Sequence, residues 1–394
     1  MRSAGKETSS GAMLVLVAAS WGMPLTLGIL TPALPQIGNY FADQPDKDLY
    51  IGLLATAPAF SAALLAPVAG VFVDWLGARR LLIGSLVAFV LFGVAPYWVG
   101  GLTPILVLRI LLGIAMTGAV VSSTALITQS CEAPARDRWL GIQAATSNGV
   151  GILTLGIGGL VATLGWRETF LVHFAVIPVL AATLLLVKSA GGPGIRTVQA
   201  APEKTDLPWM RLSWILALLV SGTTVMFVAV LQSSFLLSGL GMAEPARIGL
   251  AISVICSGAI LGSIALGAVA RLRPLPRLAL SYAVSGAGMA LMAVSTGIPL
   301  AIAGGFLTAM GMGICLPTAM SLTIGMVEPG ARGRVSGLAM AAMFAGQFFN
   351  PVLFSWLNAL THSIAGSIGI VATMALMISA ALFAGRRMTP ARQD

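Results

Sequence analysis

The chain has 394 residues, 57% of them hydrophobic and only 9% charged, with mean hydropathy +0.95 and formal net charge +9. A soluble chain is about 25% charged, so this composition excludes a cytosolic enzyme, a secreted disulfide scaffold and a disordered protein, and leaves a polytopic membrane protein. The positive balance would suggest nucleic acid in a soluble protein; here it is read first against the tendency of Lys and Arg to collect on cytoplasmic loops.

A membrane helix needs about 20 mostly apolar residues. Twelve segments meet that requirement: 12–37, 49–73, 80–99, 103–129, 139–163, 168–188, 212–238, 246–270, 277–296, 299–326, 334–359 and 364–385. The first is too long for a signal peptide and eleven more follow, so it is read as a retained helix. The longest connection, 189–211, carries Gly, Pro and charge and reads as a linker. The expected organisation is a six-helix bundle over 1–188, a cytoplasmic linker over 189–211 and a second six-helix bundle over 212–394. The fold class is an all-α membrane protein of twelve transmembrane helices in two pseudo-symmetric bundles. With the N-terminus inside, 18 of the 22 basic residues fall on one side and 3 on the other, with Arg109 inside a span. That bias predicts both termini in the cytoplasm of a multi-pass inner-membrane protein. It also divides the charge: net +10 on the cytoplasmic side, −2 on the outer side and one arginine between them.

The two parts resemble each other at an offset of 196. Ala135-Arg136-Asp137-Arg138 with Gly141, before span 5, matches Ala331-Arg332-Gly333-Arg334 with Gly337, before span 11. Glu132 matches Glu328 as well. Parallel repeats of this kind are a transporter signature.

Between spans 2 and 3 the chain runs Gly70-Val71-Phe72-Val73-Asp74-Trp75-Leu76-Gly77-Ala78-Arg79-Arg80. This resembles the G-x-x-x-D-x-x-G-R-R signature of the major facilitator superfamily, with Ala78 at the first basic position. Pro32-Ala33-Leu34-Pro35 is similar to the P-x-L-P of its drug-exporter-like members, and Gly165-Trp166-Arg167-Glu168-Thr169-Phe170 to their G-W-R-x-x-F. Arg109 followed by Gly113 resembles the R-x-x-x-G of the fourth helix. The resemblance implies two bundles rocking about a midplane site. It also implies that Gly70, Asp74, Gly77, Arg79 and Arg80 form a conformational latch between the bundles in the outward-open state. A second latch is not expected, because Arg271 stands where the acid would sit. Span 5 ends Thr154-Leu155-Gly156-Ile157-Gly158-Gly159, without the Gly-Pro of the drug–proton antiporter pattern.

An ionised arginine in a membrane helix costs at least about 2.5–3.5 kcal/mol, so it faces a wet cavity or a partner. Arg109 is therefore either a cavity-lining charge for substrate or proton coupling, or a structural group bonding carbonyls near the outer end. All 13 acids lie in loops or at span ends. A cavity with an arginine and no acid should prefer neutral or anionic substrates. Trp21, Met116, Asn148, Thr224, Gln232, Gln347 and Asn350 complete the expected substrate-binding set. Gln347 and Asn350 share a helix face, and Pro351 follows them. His173, near the outer end of span 6, and His362, in the last outer loop, are expected at the surface; the alternative is a proton-coupling histidine, since an unperturbed imidazole titrates near pH 6.5. Cys131, Cys256 and Cys315 are isolated, so no metal site or disulfide is expected. The methionines read as packing groups.

A sensor would carry a soluble signalling domain, and an intramembrane enzyme would carry a dyad or metal ligands within the spans. ATP-driven transport would need a G-x-x-x-x-G-K-[ST] loop, and none occurs. The expected function is secondary active transport by alternating access, with efflux of a small neutral or anionic amphipathic compound. The alternative is uptake or exchange of a small organic anion or a siderophore-like metal chelate. The expected partners are that small molecule, protons and membrane lipid, with no nucleic acid and no cofactor, and the protein is expected to be a monomer and not an enzyme.

Overall fold

The computed structural model describes residues 10–187, 207–269, 271–328 and 331–385. Residues 188–206 lie outside it, and most of the expected linker falls there. The described residues form twelve helical segments long enough to cross a membrane. The first six are α1 (Ser10–Ala19 with Gly22–Tyr40), α2 (Lys47–Leu76), α3 (Ala78–Tyr97), α4 (Leu102–Ser130), α5 (Ala133–Ala162) and α6 (Glu168–Leu186). The second six are α7 (Trp209–Gly239), α8 (Pro245–Ala268), α9 (Pro274–Ala293), α10 (Ile298–Gly325), α11 (Arg332–Thr361) and α12 (Ile364–Gly385). Ten of these are apolar enough to span on hydropathy alone, and α1 makes an eleventh when its bent pair is one span. The remaining one, α9, carries Arg277, Tyr282, Ser281 and Ser285, and packs between α10 and α12.

Besides the single 3₁₀ turn Ala95–Tyr97 that ends α3, three helices depart from regular α geometry among the described residues, and prolines account for two of these departures. In α1 the two parts meet at 44° around Ser20 and Trp21. Pro24 offers no N–H to the Ser20 carbonyl, and the Ser20 and Trp21 amides bond back only three residues, to Val17 and Ala18 at 3.1 Å. In α6 the first nine residues, Glu168–Val176, wind as a 3₁₀ helix ahead of Pro178. Such runs are uncommon beyond a turn and often mark functional segments. In α7 the stretch Val228–Gln232 is a π-helix.

The helix pairing repeats. α1 packs on α5, α2 on α4, α3 on α4 and α3 on α6; six helices later, α7 packs on α11, α8 on α10, α9 on α10 and α9 on α12. Helices α2–α11 and α5–α8 join the two sets, together with Thr31–Tyr40 of α1 against α7 and α8. These joints lie toward the end formed by the connections after α1, α3, α5, α7, α9 and α11, here called the outer end. The opposite end, at the starts of α1 and α7, collects the arginines.

Glycine makes the tightest joint possible. A Cβ on Gly159 of α5 would sit 2.5 Å from the Pro245 carbonyl oxygen and 3.1 Å from Gly249 Cα. A Cβ on Gly249 of α8 would sit 2.4 Å from the Leu155 oxygen. The two backbones touch directly, as small residues allow between membrane helices. One turn deeper, Ser253 donates to the Ile152 carbonyl at 3.0 Å. Beyond that point α5 has no contact of this kind: a Cβ on Gly149 or Gly141 would meet nothing within 4 Å. The exposed residues of this stretch include Asp137, Gly141, Ala144, Ala145, Asn148 and Gly149. A lipid-facing stripe would be apolar and bulky, as Leu153, Ile157 and Leu160 are in the outer half of the same helix. Small and polar exposure instead marks the wall of an aqueous cleft. The molecule is closed at its outer end and open at its arginine-rich end.

Candidate functional site

Two buried polar groupings flank the closed joint. The first lies among α1, α2, α4 and α6. Arg109 is seven residues into α4, so about 10 Å from its outer start at the helical rise. Its side chain is 0% exposed. Nε donates to the Leu54 carbonyl of α2 at 2.7 Å, and Nη2 donates to the Thr26 carbonyl of α1 at 3.3 Å. Pro58 explains the first bond. The residue four positions after Leu54 has no N–H, which leaves that carbonyl without its helical donor inside the membrane. Arg109 supplies the missing hydrogen bond. Close approach of α4 makes this reachable, since a Cβ on Gly113 would fall 2.6 Å from Pro58. Arg109 Nη1 is buried without a partner.

Near this arginine the structure corrects one expectation. His173 is not a surface residue: it is 1% exposed, with Nδ1 2.9 Å from the Phe170 carbonyl and its ring against Phe89. The physical reason is packing on α3: Gly93 leaves room for the ring, since a Cβ there would fall 2.5 Å from it, and Phe89 covers it.

The second grouping lies between α7 and α11. Gln232 Nε2 donates to Asn350 Oδ1 at 2.9 Å, and Asn350 Nδ2 donates to the Thr224 carbonyl at 2.9 Å. The π-helix creates the need for that second bond. The Val228 amide, which would serve Thr224 in an α-helix, bonds to Val225 instead. Thr224 Oγ1 in turn donates to the Gly346 carbonyl at 3.0 Å. Gln347, one turn before Asn350, is also buried. On the outer side, Gln232 borders a cavity of about 380 Å³ lined by residues of α2, α7 and α11, among them Asp48, Gly52, Pro351 and Asn358. Each grouping thus uses a polar side chain to fill a carbonyl freed by a helix irregularity.

The remaining expected residues sit closer to the cleft. Trp21, at the break in α1, donates through Nε1 to Thr146 Oγ1 of α5 at 3.0 Å. Asn148 is exposed two residues further along α5. Met116 is buried and faces the Gly22 position of α1. The structure therefore brings Thr224, Gln232 and Asn350 together, sets Trp21 beside the wall that carries Asn148, and holds Arg109 apart from them inside the first six helices. Thr26 and Thr146 belong to these groupings but give no sequence signal, because a lone threonine ordinarily bonds back to its own helix.

Of the expected latch, Gly77 turns the chain from α2 into α3 at φ +81, which favours glycine. Arg79 donates to the Leu184 and Val187 carbonyls at the end of α6. It therefore caps a helix of its own set while the arginine-rich end is open. Arg80 is exposed. The Asp74 side chain and the surroundings of Gly70 lie outside those described. No group of three or more His, Cys, Asp or Glu that could hold a metal occurs among the described residues.

Residues 14–351 match the family model described as Major Facilitator Superfamily. The chain is 27% identical over 390 residues to the uncharacterized MFS-type transporter YceJ of Bacillus subtilis (strain 168), covering 92% of this chain and 94% of that one. Among solved structures it is similar to a bacterial homolog of the human lysosomal transporter Spinster in an inward-facing and occupied conformation. The TM-score is 0.78 at 15% identity, covering 98% of both chains. It is also similar to the inward-open xylose transporter XylE from E. coli, with TM-score 0.75 at 14% identity over 96% of this chain and 95% of that one.

Proposed function

The chain belongs to the major facilitator superfamily, and we propose that this multi-pass secondary carrier exports a small neutral or anionic amphipathic compound across a bacterial inner membrane. In this reading residues 1–188 and 212–394 move as two bodies joined by the linker 189–211, with both termini in the cytoplasm. The cleft open at the arginine-rich end is then the inward-facing state of alternating access. Trp21 and Asn148 face the substrate from the first bundle, and Thr224, Gln232, Gln347 and Asn350 meet it from the second once the bundles rock. Met116 backs Trp21, and Arg109 positions α1 and α2 around them.

One observation carries the substrate class. The polar groups at the joint and the apex of the cleft are neutral amides, hydroxyls and an indole, and the one buried charge near them is the cation Arg109. Asp48, on the outer cavity, is exposed, so an organic cation would find no buried carboxylate among the described residues to replace its hydration at the apex of the cleft, whereas a neutral or anionic solute finds hydrogen-bond donors. A thermal-shift screen of the purified protein against metabolites, antibiotics and siderophore-like chelates identifies compounds for transport assay. The reading expects neutral or anionic hits that accumulate in everted vesicles under a proton gradient. Accumulation only in right-side-out vesicles assigns uptake instead, and stabilisation by organic cations alone overturns the substrate class.

A further inference from the structure

The α8–α9 connection is where the latch pattern fails to repeat, with Arg271 standing where the acid would sit. The transport cycle above gives this segment no role. It presents Arg271 and Arg273 in exposed positions at the arginine-rich end, and Arg211 is exposed on α7, three residues before Trp214. The guanidiniums of Arg271 and Arg273 make no ion pair or hydrogen bond with a described residue. The sequence holds no acid from Pro245 to Val327. At this end the acids closest in sequence are Asp206, outside the described residues, and Glu328, exposed just past α10 and without an ion pair among them.

Beside these cations lies a cavity of about 250 Å³, lined by Trp214 of α7, residues 273–276 at the start of α9, and Leu322 and Met326 at the end of α10. Arg273 is the one charged residue in its wall. Pro274 and Pro276 stiffen the start of α9 and present no N–H to the cavity. Trp214 is 38% exposed, and its Nε1 makes no hydrogen bond to a described residue. An indole with an apolar ring and a free N–H suits the boundary between lipid chains and headgroups. Helix α9 packs on α10 and α12 and takes no part in the α2–α11 and α5–α8 joints, so its start faces the bilayer rather than the cleft.

We infer that this cavity and the arginines beside it bind one anionic phospholipid. Its phosphate sits on Arg271 and Arg273 with Arg211 alongside, its ester carbonyls accept from Trp214 Nε1, and the first segment of an acyl chain fills the cavity. A free inorganic anion would meet the arginines and leave the apolar wall uncovered. A zwitterionic lipid would cover the wall but bring a second cation into a patch that holds no acid. An anionic lipid answers both features, as basic pockets between membrane helices do for acidic headgroups. The inference requires only that the chain sits in a membrane, and it does not depend on the direction or substrate of transport. In the orientation proposed above, the leaflet is the cytoplasmic one, whose surface is anionic.

The test places the full-length protein in nanodiscs of phosphatidylcholine and replaces a rising fraction of that lipid with phosphatidylglycerol brominated along its acyl chains. Bromine quenches an indole that it touches. The chain has eight tryptophans, so Trp214 is read as the difference between wild type and Trp214→Phe. A basic group near an anionic headgroup is worth about fivefold in binding, so Arg271 and Arg273 together predict half-quenching at an about 25-fold lower fraction of brominated phosphatidylglycerol than of brominated phosphatidylcholine. Arg271→Gln with Arg273→Gln should erase that preference. Arg138→Gln, at an exposed arginine of the first set on the same end, should leave it unchanged. In detergent, dioctanoyl phosphatidylglycerol should raise the unfolding temperature, and inorganic phosphate at the same concentration should not. Equal half-points for the two lipids in wild type would overturn the site, as would an Arg138→Gln protein that behaves like the double variant. Phosphate that stabilises as well as the lipid would show a simple anion site and overturn the lipid assignment. If the double variant does not fold, the wild-type comparison of the two lipids and phosphate decides. Export is judged separately, by accumulation in vesicles, so either reading can fail while the other stands.

Discussion

Gly159→Val should force open the outer joint between α5 and α8. The first atom of the new side chain would fall 2.5 Å from the Pro245 carbonyl oxygen, against 3.4 Å for an ordinary contact, so the backbones must separate by about 0.9 Å for Cβ alone. The two valine methyls need more. The opposing atoms are backbone, with no flexible side chain that could yield. Overpacking of a tight contact costs about 1–3 kcal/mol, and here the cost falls only on the outer-closed state. The open population should therefore rise by about 5- to 150-fold. Ala246→Cys, at a position 7% exposed within the joint, reports it through the rate of maleimide reaction in detergent. That rate follows the open population and should rise by the same factor. Gly149→Val on the same helix is the control, because its Cβ meets nothing within 4 Å. An unchanged rate in Gly159→Val, or an equal rise in Gly149→Val, would show that the glycine contact does not hold the outer end closed.

The other two expectations concern carbonyls served by side chains. Arg109→Leu leaves the Leu54 carbonyl without a donor and should lower stability by about 1–3 kcal/mol in thermal unfolding. Adding Pro58→Ala restores a backbone N–H four residues on, and should recover about 1 kcal/mol of that loss; an additive or larger loss would mean that Arg109 does not substitute for the proline's missing hydrogen. Asn350→Leu strands both the Gln232 amide and the Thr224 carbonyl, for about 1–3 kcal/mol. Gln232→Leu should cost less in the Asn350→Leu background than alone, and strict additivity in this cycle would argue against a shared network.

Much of the fold was legible because hydrophobic length is a coarse signal that survives averaging. The twelve expected segments agree with the helices to within about six residues at their ends, and the offset of 196 has a counterpart in helix pairings that recur six helices later. Hydropathy carries no information about how a helix winds. The bend at Trp21, the 3₁₀ start of α6 and the π turn before Gln232 depend on which carbonyl each amide reaches. Pro24, Pro58 and Pro178 were visible signs of two such irregularities and of the carbonyl that Arg109 serves. Even so, a proline does not reveal which distant side chain completes the missing bond. His173 was misplaced for a related reason: five residues from a span edge reads as interfacial, and nothing in the sequence says that Gly93 and Phe89 of α3 enclose the ring. Arg109 stood out as the single basic residue within a span, but its two carbonyl partners come from helices 55 and 83 positions away.

Alternating access is tested most directly by measuring both ends of one molecule. Spin-label pairs at Leu164 with Val294 on the outer end, and at Arg138 with Arg334 on the arginine-rich end, all sit on exposed residues of opposite sets. The account predicts reciprocal changes. In wild type the outer pair is short and the inner pair long, and Gly159→Val moves population to a long outer and short inner distance. Two distances that lengthen together, or an inner pair that stays fixed while the outer pair parts, would contradict a carrier that opens one end by closing the other.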